Sequence, residues 1–423
     1  MEPPRSFEHA PALDAEQIPG PVREAARRLA AHPGSGYVYD PALTAARARA
    51  LRGALPDWAR VYFAVKSNGF DDVLAHLAQA VDGFETASLR EARSALAHLR
   101  GSVGGHRGRP IAVSGPGKSP ELLDGLARMR VESGAEVVVN AESELELYRA
   151  SAAAVAAGTV FPVTLRVNPE RVPVRGALAM GGTPSPFGLP EPLVDGAVRT
   201  ALSLPGLDLT GFHVHAVSGN TDAVAHAAYV RWCLEWARRT ADAHGVDLRV
   251  VDVGGGLGVP FEDGDEAFDV KGFGASLAEL PDPGVEVVFE PGRWIAAPAG
   301  WYAARVTDVK SAYGLDFAVV RGGINHFQLP TSWEIRHNFA VLPEPTWPAN
   351  MPRPQVAGAS VTVSGELCTP EDVLARDVRV EALRAGDTLV FPNAGAYGHE
   401  FAMPAFLAHP AAPRVSVDST DRR

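Results

Sequence analysis

Two cysteines in 423 residues, Cys233 and Cys368, are too few for a disulfide framework or a cysteine-rich zinc site. Basic residues are in deficit: 39 Lys and Arg stand against 50 Asp and Glu, a formal charge of −11 with a sequence pI near 5.6. Such a surface repels phosphate backbones and anionic headgroups, so neither a nucleic acid nor a membrane is expected as a partner. Long hydrophobic runs are missing too. The most apolar stretch, 150–165, is interrupted by Ser151, Gly158, Thr159 and Pro162 and is too short and too broken to span a bilayer. The first twenty residues hold no apolar core of a secretory leader, so a cytoplasmic location is expected. What remains is 46% hydrophobic and 21% charged, the mix of a globular protein. The length exceeds one ordinary domain of about 100–200 residues, which implies two domains or one barrel with an appendage.

Residues 1–36 are Pro-rich and polar around a helical patch at 22–31, an arm expected to pack on the C-terminal domain. From 37 the chain alternates short β-branched runs with Ala- and Leu-rich amphipathic stretches. Strand candidates are 60–65, 110–115, 136–139, 162–167, 209–217, 248–255 and 285–292; helix candidates include 72–81, 89–99, 119–129 and 141–158. This alternation implies βα units on a parallel sheet, and their number before 299 fits a (β/α)8 TIM-type barrel over 37–299. No GxGxxG motif follows the first strand, which argues against dinucleotide binding. Beyond 300 the helical periodicity stops and strands alternate with turn residues, so 300–423 is expected to form a β-rich domain.

Catalytic groups of a parallel barrel sit where strands end, and those points are informative here. Lys66 directly follows YFAV. It reads either as a solvated terminus or as a Schiff-base lysine whose amine, enclosed in a pocket, becomes nucleophilic. His213 and His215 are two apart on a strand and face one side, as packing rings or as two ligands of a divalent metal. Gly254, Gly255 and Gly256 follow a strand, either as a tight turn or as backbone donors around a phosphate. Glu290 and Arg293, in FEPGRW, are a local salt bridge or a pair for a ligand cationic at one point and anionic at another. Cys233 lies inside a helical stretch and reads as core. Cys368 and Tyr397 lie in Gly-containing loops of the β-rich part.

Taken in order, FAVKSN (63–68), GFETAS (83–88), LRVNP (165–169), GFHVHAVSG (211–219), VDVGGGLG (251–258), EPGRW (290–294), GELCTPED (365–372) and AGAYG (394–398) resemble the fold type III, alanine-racemase-like pyridoxal-phosphate decarboxylases, the ornithine and diaminopimelate decarboxylase group. The resemblance spans almost the whole chain. It implies pyridoxal 5'-phosphate as cofactor, Lys66 as its covalent anchor, His215 against the ring and Glu290 at the pyridine nitrogen. It implies Ser218, Gly254, Gly255, Gly256, Arg293 and Tyr397 as phosphate contacts, and Glu85 and Arg166 in the surrounding shell. It further implies a homodimer in which Cys368 enters the partner's site.

In diamine-forming members an acid lies at or near the position after this Cys, whereas Thr369 and Pro370 stand here. An uncompensated substrate ammonium then lacks its carboxylate, which disfavours ornithine and lysine. The segments at 322–333, 337–339 and 406–413 resemble instead a siderophore-pathway branch acting on a citrate–diaminopropionate conjugate. A related branch takes amino acids tethered to carrier proteins. His326, Arg336 and His337, with Thr369, are candidate contacts for a carboxylate-rich substrate. Three other functions compete. A racemase would need a tyrosine base where Cys368 stands, a non-catalytic cofactor binder would need only the barrel, and a metal hydrolase would rest on the histidine pair.

Overall fold

The computed structural model describes residues 10–420 apart from 175, 177, 180, 262–264, 334 and 336. The chain divides into two compact units, one of Thr44–Val259 and Glu266–Ile295, the other of Met1–Leu43, Pro260–Asp265 and Ala296–Arg423.

The first unit is a closed barrel of eight parallel strands. They are β1 (Ala59–Ala64), β2 (Gly83–Thr86), β3 (Ile111–Val113), β4 (Val137–Ala141), β5 (Phe161–Asn168), β6 (Leu207–His213), β7 (Val250–Asp252) and β8 (Glu286–Phe289). Each pairs with the next, and β8 closes on β1. This is the (β/α)8 architecture that the alternating pattern implies. The strand that the pattern does not reveal is β2. It has four residues, GFET, and offers no run of β-branched side chains. Gly83 opens it because a Cβ there would meet Pro110 O at 2.5 Å.

The helices between strands start and stop where local chemistry dictates. Ser88, Ser119 and Ser143 each accept a backbone N–H three residues on, capping Leu89–Gly101, Pro120–Ser133 and Glu144–Ala157. The last two end on Gly134 and Gly158 in the left-handed conformation that glycine adopts without strain.

The second unit is an eight-stranded mixed sheet. Its central path runs Ala340–Leu342, Thr388–Phe391, Gly300–Ala312, Leu315–Val320, Gln355–Ser364, Val373–Arg384. Ser35–Tyr39 pairs antiparallel with 300–304 and parallel with Arg414–Ser416, so these early residues belong to this sheet. The helix Gly20–Ala31 packs on it through Val22, Ala25, Ala26 and Leu29, a stripe with helical spacing. The stripe meets Val38, Trp301, Ala303, Ala340, Leu342 and Val390 in one buried cluster. Among the described residues no helix is long and apolar enough to cross a membrane.

Candidate active site

Lys66 lies in a single 3-10 turn, Val65–Ser67, directly after β1. Ser67 Oγ donates to Ala64 O at 2.7 Å and Asn68 N to Val65 O at 3.0 Å, which holds the turn. Lys66 Nζ donates to Glu85 Oε2 at 2.8 Å. Ala64 and Glu85 are register partners of β1 and β2, so barrel pairing itself brings the two side chains together. The Glu85 side chain is 0% exposed and that of Lys66 41%, so a buried carboxylate holds an amine whose surroundings are open. Glu85 Oε1 is buried without a hydrogen-bond partner among the described residues.

Arg166, on β5, donates to Glu142 Oε1 at 2.9 Å, both side chains being buried. Glu142 also accepts from Gly115 N and Gly188 N. Next to it Lys118, almost wholly enclosed, donates to Gly115 O, Asn140 O and Glu146 Oε2. Burial draws the Lys118 ammonium below the usual lysine range, opposed by the charges of Glu146 and Glu142. Glu146 accepts the backbone N–H of Glu142, which joins the two ion pairs into one network. Sequence reasoning missed Glu142, Glu146 and Lys118. The available signal was the spacing of two acids four residues apart at a helix start, each of which looks like an ordinary N-terminal charge.

β6, β7 and β8 end in His213, Asp252 and, one residue on, Glu290. Asp252 pairs in register with His213 and with Val288. His213 Nε2 lies 3.5 Å from Glu290 Oε2 and 4.0 Å from Asp252 Oδ1. Burial raises the Glu290 carboxyl well above the usual carboxylate range, reinforced by the charges of Asp252 and Glu85; burial raises Asp252 as well. Desolvation and the neighbouring Arg166 push both His213 and His215 well below the usual imidazole range, so both rings are neutral. His215 Nδ1 accepts from Gly255 N at 3.1 Å. The two histidines that a metal reading would pair are thus engaged separately: His213 faces carboxyl groups, and His215 faces the glycine run.

The glycine run is enforced by crowding. A Cβ on Gly254 would meet His215 Nδ1 at 2.3 Å, one on Gly255 would meet Glu290 O at 2.3 Å, and one on Gly256 would meet Val217 O at 2.7 Å. Gly254 N donates to Asp252 Oδ1. Ser218 lies beside the run, and Arg293 Nη2 donates to its Oγ at 3.5 Å.

Tyr397 and Cys368 belong to the second unit. Tyr397 has φ +60°, a strained backbone for a non-glycine residue, with its ring 5.1 Å from that of Trp333. Cys368 is exposed. Thr369 Oγ1 donates to the Glu371 carboxylate, while Asp372 is buried and accepts from Ile324 N and Leu367 N. His326 has both ring nitrogens engaged, Nδ1 with Ser35 Oγ at 3.0 Å and Nε2 with Pro410 O at 2.7 Å. His337 is buried and faces Pro392 O through Nε2. Both histidines thus join segments of the sheet unit that are distant in sequence. Arg336 lies outside the described residues.

The barrel end thus offers an amine, a buried acid whose Oε1 has no partner among the described residues, a neutral imidazole, and a glycine-lined edge beside a hydroxyl and a guanidinium. An aldehyde, a heteroaromatic nitrogen, a flat ring and a phosphate match these four features in turn, so the donor set fits pyridoxal 5'-phosphate.

Comparison with known proteins agrees. Residues 43–297 match the family described as pyridoxal-dependent decarboxylase, pyridoxal binding domain. The chain is 33% identical over 383 residues to 2-((L-alanin-3-ylcarbamoyl)methyl)-2-hydroxybutanedioate decarboxylase of Staphylococcus aureus, covering 90% of this chain and 93% of that protein. It is 29% identical to an L-glutamyl-acyl-carrier-protein decarboxylase of Niallia circulans, covering 88% and 86%. Among solved structures, a mutant Helicobacter pylori diaminopimelate decarboxylase complexed with L-lysine superposes with a TM-score of 0.78 at 23% identity, covering 93% and 94%, a likeness of fold.

Proposed function

The chain belongs to the pyridoxal-dependent decarboxylases, and from that premise we propose that it removes the α-carboxyl group of an amino acid whose side chain is an amide of a hydroxy-polycarboxylic acid. The observation that carries this reading is the 33% identity, over nearly the full length of both chains, to a decarboxylase of such a compound. The Thr369–Pro370 sequence supports it. Of the two acids that follow, Asp372 is committed to backbone amides and Glu371 to Thr369, which disfavours a substrate with a free distal ammonium.

When bound, pyridoxal 5'-phosphate supplies an electron sink for the pair left at Cα as CO2 departs. In our reading Lys66 holds the cofactor's aldehyde carbon, and Glu85 orients the amine. Glu290 holds a proton at the ring nitrogen, and His215 lies against the ring face. Ser218, Gly254, Gly255, Gly256, Arg293 and Tyr397 bind the phosphate. Arg166, fixed by Glu142, borders the ring. Cys368 of a second copy delivers the proton that replaces the carboxyl group, and its exposure supports this role. The site is then shared across a homodimer in the cytoplasm. A carrier-tethered amino acid is the second reading, favoured by the Niallia relative.

The test is mass-spectrometric detection of CO2 loss from a panel of citrate-conjugated diaminopropionate, ornithine, lysine, diaminopimelate and a carrier-bound glutamyl group. The conjugate is expected to turn over best. Efficient turnover of free ornithine refutes the assignment.

A further inference from the structure

Asp252 and Glu290 end adjacent strands, β7 and β8, and are 3% and 5% exposed. A carboxylate oxygen of each lies within 4.8 Å of the other, with a ring nitrogen of His213 beside both. Two like charges this close in a buried site do not both ionise. One proton is therefore held between them.

The surroundings do not replace it. His213 faces both acids at 3.5 and 4.0 Å, but desolvation and the Arg166 charge keep its ring neutral. Glu85 from β2 adds a negative charge, while Lys66 after β1 and Arg166 on β5 add positive charge, each already paired with its own acid, Glu85 and Glu142. Asp252 is further anchored by Gly254 N at 2.8 Å, whereas Glu290 Oε1 has no hydrogen-bond partner among the described residues.

We propose, on the reading in which Glu290 meets the ring nitrogen, that Asp252 is a positioning residue that stores with Glu290 the proton which that nitrogen receives when pyridoxal phosphate binds. The Glu290 O–H bond breaks and an N–H bond forms. Glu290 and Asp252 are then both carboxylates, and the ring carries one positive charge. Net charge is unchanged, so this step takes no proton from solvent. Asp252 thus makes the site ready to load the cofactor in its electron-accepting form.

Two measurements test this on the full chain stripped of cofactor and reloaded with pyridoxal phosphate. Infrared difference spectra of the wild type are expected to lose one protonated-carboxyl carbonyl band on loading. Titration calorimetry in buffers of different ionisation heat is expected to show Asp252→Asn taking up more protons than wild type, by up to about one. Asparagine keeps the acceptor for Gly254 N, and the infrared arm needs no variant. A wild-type spectrum without the lost band, or an unchanged proton count in Asp252→Asn, overturns the role of Asp252. Glu290→Gln separates the two readings. If it leaves the absorption of the bound cofactor at wild-type values, the pairing of Glu290 with the ring is what fails.

Discussion

Lys66 Nζ and Glu85 Oε2 meet at 2.8 Å because Ala64 and Glu85 are paired in the barrel register. A slip of one residue in β2 would turn Glu85 to the opposite face and leave the amine without its anchor. The position of the proposed cofactor anchor is thus specified by strand pairing as much as by the lysine itself.

Borohydride reduction of the loaded enzyme, followed by digestion, is therefore expected to place a pyridoxyl group on the peptide containing Lys66. Lys66→Ala should lose both that modification and turnover. A pyridoxyl group found on any other lysine refutes the assignment.

Arg166 and Glu142 form an ion pair with side chains 6% and 1% exposed. Removing one partner of such a pair leaves a buried charge without compensation, at a cost of about 3–5 kcal/mol. Arg166→Ala should therefore lower denaturant resistance by roughly that amount, while Arg166→Lys recovers part of it. A loss of less than about 1 kcal/mol would show that the amides of Gly115 and Gly188 suffice for Glu142.

Burial lowers His226 and His337 to a pKa of about 4. In the unfolded chain a histidine titrates near 6.5. Between these values the unfolded state binds more protons, so stability is complete above about pH 6.5 and falls as pH drops toward 4, by up to about 1.4 kcal/mol per pH unit for each histidine. Asp252 and Glu290, raised in the fold, have the opposite sign: their contribution is present at low pH and is lost as pH rises through their folded values. Because the two contributions overlap between pH 4 and 7, the check is a difference: over that range His337→Phe should lose less stability on acidification than wild type. An unchanged slope in that variant counts against a neutral buried His337.

Cys368→Ala should still bind cofactor and hold Lys66 in its modified form, but should return the proton to Cα slowly. Mixed with Lys66→Ala, it should form heterodimers with one intact site, restoring at most about a quarter of wild-type activity when subunits pair at random. Demonstrated heterodimers without recovery would remove Cys368 from the partner's site. A purely structural thiol predicts lower stability with kcat preserved.

Much of the barrel was legible because strand and helix periodicities are local: seven of its eight strands and its capped helices stand out in the sequence. GFET did not, since four residues with a glycine and a glutamate carry too little pattern. Lys66, the glycine run and Glu290 could be singled out because each follows an apolar strand, and their colinear motifs resemble one family throughout.

His326 and His337 show what that reasoning does not reach. Their residue types suit anion binding, and only the fold reveals their contacts with Ser35, Pro410 and Pro392, distant in sequence. Sequence by itself determined the order of elements, the excess of acid and the chemistry available at strand ends, because these depend on neighbouring residues. Only the tertiary structure decided which ionisable groups meet: Lys66 with Glu85, Arg166 with Glu142, Asp252 with Glu290. Barrel closure and register bring groups from separate strands into one desolvated space, where Coulomb and hydrogen-bond energies are strong enough to fix their protonation.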